Sequence, residues 1–66
     1  MSKVMERQQL ALSLLRDYGP LTYTEWQRGL VDEGIAMSTA QRTISSVREF
    51  NEVGQNERRE YVYREA

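Results

Sequence analysis

Not one cysteine or histidine occurs in these 66 residues, and in so short a chain that absence decides which folds are open. A domain of about 60 residues buries only about 60% of the surface its unfolded form exposes, so its core is thin. Small folds usually make up the shortfall with disulfides or a structural metal. Without thiols or imidazoles neither staple is available here. Stability has to come from helix packing, from good caps or from a partner subunit, and each local signal carries weight because burial and ordering nearly cancel at this size.

The same absence narrows the chemistry. A nucleophile–base pair would have to be built from lysine or carboxylates, and the only lysine is Lys3, close to the amino terminus. No phosphate-cradling glycine loop occurs, and the acids are scattered over helix ends and the tail without paired-carboxylate spacing. The expectation is a chain that is not an enzyme and uses no cofactor and no metal. No apolar run approaches the ~20 residues that span a bilayer, and the first seven residues lack the apolar stretch of a secretory signal. A cytoplasmic protein that does not meet a membrane is therefore expected.

Punctuation divides the chain into three helices and a hairpin within one domain, 1–66: a mainly α fold with a small β element. Val4, Ala11, Leu15 and Tyr18 follow helical spacing, with Leu10 and Leu14 alongside, which predicts a helix over 4–18. Gly19-Pro20 stops it, glycine being suited to a left-handed cap and proline unable to continue the ladder. Thr22 and Glu25 then form a capping box, with Leu21 and Trp26 placed as its hydrophobic staple, so a second helix is expected over 23–33. Its apolar side reads Tyr23, Trp26, Gln27, Leu30 and Val31, and Gly34 ends it. Gly29 in its middle costs about 1 kcal/mol relative to alanine. Either it lets a neighbouring helix come close or it is a neutral accident. Ser38 and Gln41 have the spacing of a second capping box, which predicts a third helix over 39–50, with Ala40, Ile44 and Val47 buried and Thr43 and Phe50 at the flank. Beyond it the period changes. Tyr61-Val62-Tyr63 is β-prone, Val53-Gly54-Gln55 is its candidate partner, and Asn56 to Arg59 form the turn of a hairpin over 52–64.

The third helix carries the functional signal. Between Ser38 and Arg48 there are two arginines and no acid, inside a chain whose net charge is −1. Base edges are read by arginine on guanine, glutamine on adenine, and serine or threonine on either. Gln41, Arg42, Ser45 and Ser46 are the candidates for base contact, and Arg48 for the phosphate backbone. Ser38 and Thr39 at the helix start can offer hydroxyls and main-chain N–H groups to a phosphate. Soluble helices carry the same residue types for no functional reason, so the order of elements has to tip the balance. A capped helix, a short turn, a second helix with a basic polar face and a hairpin form that order.

Leu21-Thr22-Tyr23-Thr24-Glu25-Trp26, followed by Ile35-Ala36-Met37-Ser38-Thr39-Ala40-Gln41-Arg42-Thr43-Ile44, resembles the helix-turn-helix segments of the winged-helix superfamily. Members close in style are small phage, plasmid and mobile-element domains, including those attached to replication helicases and DNA translocases. The resemblance spans nearly the whole chain. It implies a three-helix winged helix-turn-helix fold, sequence-specific binding of double-stranded DNA with the third helix in the major groove, and a role in transcription or replication control. It also implies wing contacts from Gln55, Asn56, Arg58 and Arg59.

A net charge of −1 sets the strength of such binding. Affinity tracks the phosphates neutralised, and a handful of arginines on one face makes for a weak monomer. A homodimer, tandem sites or a larger assembly would then supply avidity. Met5 and Leu12 widen the apolar arc of the first helix, either to pack beneath the hairpin or to meet a partner. The alternative function is a protein-interaction module on the same scaffold, for which the acidic balance is natural and Trp26, Tyr61 and Tyr63 are candidate anchors.

Overall fold

Ser2 opens helix α1 (Lys3–Tyr18), its side chain accepting a hydrogen bond from the Val4 N–H at 3.2 Å. The computed structural model describes residues 2–65. After α1 come α2 (Tyr23–Asp32), α3 (Met37–Val47) and an antiparallel hairpin of β1 (Val53–Gln55) and β2 (Tyr61–Tyr63), so the fold is mainly α with a small β element, as expected.

The three helices pack on one another, and β2 lies against α1. Their core is Ala11, Leu15, Trp26, Leu30, Ala40, Ile44, Val47 and Val53, ringed by half-buried apolar side chains that include Ile35, Phe50, Tyr61 and Tyr63. The Trp26 and Tyr61 rings stand 5.3 Å apart between centroids, tilted by 47°. The apolar stripe of α1 is shorter than its spacing suggests: Val4 and Tyr18, at its two ends, are exposed. Gly29 does lie against α1, since a Cβ there would sit 3.4 Å from Leu14 Cδ1.

Helix α2 has the cap its sequence announces. The Thr22 side chain accepts from the Glu25 N–H at 3.1 Å, and the Thr22 N–H donates to Glu25 Oε1 at 2.9 Å. At its other end Gly34 takes φ 94, the Gly34 N–H reaches the Val31 oxygen and the Ile35 N–H reaches the Leu30 oxygen. These two bonds make a Schellman ending, with Ile35 and Leu30 both in the apolar cluster.

Two expected helix boundaries need correcting. Ser38 does not cap α3: Ala36 takes the extended cap conformation and no side chain bonds to the first turn. The Schellman ending anchors Ile35 in the core, and the chain re-enters helical geometry directly after it, so Ser38 and Gln41 are already inside the helix. The far end stops at Val47 rather than Phe50, which lies in a following turn closed by the Phe50 N–H on the Val47 oxygen. Gly19 also differs from expectation. Its φ of −69 is not left-handed, and glycine is needed because a Cβ would collide with the Leu15 carbonyl oxygen.

Leu21, between α1 and α2, bridges to Tyr61 in antiparallel fashion, each N–H donating to the other's oxygen at 3.0 and 2.7 Å. The hairpin is therefore tied to the helical body by main-chain bonds as well as by its aromatic rings.

Candidate nucleic-acid interface

Helical periodicity divides α3 into two faces. Ala40, Thr43, Ile44 and Val47 turn into the core, and Thr43 satisfies its buried hydroxyl by donating to the Thr39 oxygen at 2.8 Å. On the other side Ser38, Gln41, Arg42, Ser45, Ser46 and Arg48 are all exposed, and Thr39 is half-buried at the edge. No acidic residue interrupts this stretch. Among the described residues the one ion pair is Arg16 with Asp17 on the surface of α1, so neither Arg42 nor Arg48 is in an ion pair with a carboxylate. Because no side chain caps α3, the main-chain N–H groups of its first turn, next to Ser38 and Thr39, have no side-chain acceptor.

Toward the hairpin, Arg48 and Gln55 line one cleft together with Glu49, Val53, Gly54 and Tyr61. Glu49 brings one negative charge to this cleft beside the one positive charge of Arg48, without an ion pair between them, and the cleft is polar without being basic. At the hairpin tip Arg58 and Arg59 are exposed, with the exposed Glu57 beside them. The Asn56 side chain is bonded within the turn. Its Oδ1 accepts from the N–H groups of Arg58 and Glu60, each at 3.0 Å, and its Nδ2 donates to Glu60 Oε1 at 3.0 Å. That amide is committed to shaping the turn. Gln55 in turn donates to the Arg59 oxygen at 3.1 Å, and Arg59 adopts φ 64.

A second groove was not anticipated from the sequence. It runs between α1 and α3, has a volume of about 180 Å³, and brings Arg7 and Gln8 alongside Thr39, Arg42 and Ser46, with Val4 at its border. The signal for Arg7 was present: Arg7, Ala11 and Leu15 are spaced by four, so Arg7 continues the buried stripe of α1 by one turn toward α3.

The anchors suggested for a protein-interaction surface fare unevenly. Trp26 is fully buried, and Tyr61 and Tyr63 are half-buried against the core. Met5 and Leu12 separate, Leu12 packing on the core and Met5 standing 57% exposed. Among the described residues no helix is long and apolar enough to cross a membrane.

The chain matches no protein-family model, no curated protein and no solved structure. Its function has to be argued from the surface itself.

Proposed function

We propose that this chain is a winged helix-turn-helix protein that binds double-stranded DNA, with α3 in the major groove and the hairpin as its wing, and that it regulates transcription or replication. One observation carries the reading. Five polar side chains of α3, Ser38, Gln41, Arg42, Ser45 and Ser46, stand exposed and free of acids on the face turned from the core, with Arg48 just beyond the helix end. A slim polar helix with an open face is what a major groove about 12 Å wide admits. The uncapped start of α3 supports it, since N–H groups near Ser38 and Thr39 are suited to a backbone phosphate. In this reading Gln41, Arg42, Ser45 and Ser46 meet the duplex, with Arg48, Gln55, Asn56, Arg58 and Arg59 on the wing side.

A pool of random-sequence duplexes, titrated at about 50 and 200 mM salt, tests the reading. Binding that weakens steeply with salt, and that Ser45→Glu abolishes without changing the melting temperature, is the expected result. Salt-independent binding, or indifference to an acid at position 45, overturns it. The alternative, a protein-interaction module, is favoured by exposed Val4 and Met5 at one end of α1, and it predicts no duplex binding under either condition.

A further inference from the structure

We propose that the groove between α1 and α3 is a phosphate site in which Arg7 and Arg42, from different helices, hold one oxyanion between them. The assignment rests on the DNA-binding reading and deepens it: the anion is a backbone phosphodiester, and Arg42 and Ser46 serve it rather than a base.

Charge is the first ground. The groove gathers two guanidinium groups, the Gln8 amide and the Thr39 and Ser46 hydroxyls, with no carboxylate among its lining residues. The chain has ten acidic residues and nine basic ones, so acids were available for this position and none is there. Among the described residues neither arginine makes an ion pair. Bringing two like charges to one groove disfavours the arrangement unless an anion completes it. The planar fork of arginine is suited to phosphate oxygens, and the neighbouring amide and hydroxyls add neutral donors.

Position is the second ground. Thr39, Arg42 and Ser46 are spaced by three, four and seven along one flank of α3, next to the open stripe of Ser38 and Ser45. A duplex meeting that stripe has its phosphate strands at both borders of the helix. The Arg7 groove runs along the Thr39–Ser46 flank, whereas Arg48, which lines the hairpin cleft together with Glu49 and Gln55, falls on the other flank by helical periodicity. Arg7 is half-buried, unlike the freely exposed Arg28 of α2, so part of its ordering cost is met on folding. The Thr43 hydroxyl is already occupied by the Thr39 oxygen, which leaves the Thr39 and Ser46 hydroxyls as the available ones.

Two probes separate this inference from the reading it rests on. Inorganic pyrophosphate is titrated into the full chain and followed by amide and guanidinium chemical shifts. Saturable shifts at Arg7, Gln8, Thr39, Arg42 and Ser46, lost in Arg7→Ala and Arg42→Ala, are expected. The random-sequence duplex pool is then titrated across a salt series. Arg7→Ala should lower the slope of log K against log salt by about 0.9, the value of one phosphate contact, and should weaken all sequences alike. Arg7→Lys should retain most of the slope, and Arg28→Ala should leave it unchanged. Arg7→Lys and Arg7→Gln keep the comparison open if Arg7→Ala does not fold. Duplex binding whose slope survives Arg7→Ala and Arg7→Gln overturns the phosphate site and leaves the DNA reading standing. Pyrophosphate saturating the groove of a chain that binds no duplex overturns the DNA reading and the phosphodiester assignment, and leaves an anion site. Failure of both probes removes both.

Discussion

The indole N–H of Trp26 donates to the main-chain oxygen of Ala11 at 2.9 Å, inside the core. This bond joins α2 to α1 at the residue that contributes the largest fully buried side chain. Trp26→Phe removes the bond and part of the volume and should cost about 1–2 kcal/mol. Trp26→Ala should cost about 3–5 kcal/mol. A domain of this length has roughly 3–10 kcal/mol in total, so the alanine variant is expected to be largely unfolded. Urea denaturation followed by circular dichroism checks both, and equal losses for the two variants would contradict the packing described.

The start of α3 is an opportunity. Ala36 holds the backbone geometry of a helix cap but offers no side-chain acceptor. Ala36→Ser should supply one and stabilise the domain by about 0.5–1 kcal/mol, a rise in melting temperature of about 2–8 °C. If the DNA reading holds, the same change should weaken duplex binding, because the new hydroxyl occupies an N–H that a phosphate would use. A calorimetric scan and a duplex titration on one sample read the two effects together.

Glu25 should show a pH signature. The Thr22 N–H, and after it the Thr22 hydroxyl, hold its carboxyl below the usual glutamate range. A carboxylate lowered on folding contributes stability above its unfolded titration point, and that contribution is lost as pH falls through the lowered one. Carbon-detected NMR should place the Glu25 midpoint below those of other exposed glutamates, and Thr22→Ala should raise it only part of the way, because the main-chain N–H that contributes most is retained. Thr22→Ala should also cost about 1 kcal/mol near neutral pH through the lost cap.

Arg59 holds a strained backbone position at the hairpin tip. Its φ of 64 lies where a side chain costs about 1–2 kcal/mol and glycine is at ease. Arg59→Gly should raise stability by about 0.5–1 kcal/mol once the greater chain entropy of glycine is counted. If the hairpin tip meets phosphates, the same variant should bind duplexes more weakly. A variant that is more stable and binds unchanged would show that the tip lies clear of the DNA.

What the sequence discloses follows the range of the interaction involved. The Thr22–Glu25 box and the Gly34 ending were readable because their partners lie within a few residues. Ser38 and Gln41 have the same spacing and were misread, because spacing alone does not say which residue the core will hold. Here Ile35 is held, and it fixes the helix start at Met37. The two hairpin strands could be read from Tyr61-Val62-Tyr63 and Val53-Gly54-Gln55, and the turn from Asn56 to Arg59. The commitment of the Asn56 amide to that turn could not, since asparagine serves turns and surfaces equally. The open face of α3 was legible from its lack of acids. The Arg7 groove was not, because it needs two helices to be brought together, although the four-residue step from Arg7 to Ala11 pointed the right way.

The main-chain bridge between Leu21 and Tyr61 has a consequence for how the molecule would meet a target. A two-stranded hairpin by itself is marginal in water and would wander. Here it shares a rung with the segment that joins the first two helices, so its tip is aimed before any encounter. Its bearing relative to α3 therefore depends in part on the few residues around Gly19 and Pro20, far away in sequence. A residue inserted there would misdirect the arm while leaving every side chain on it in place.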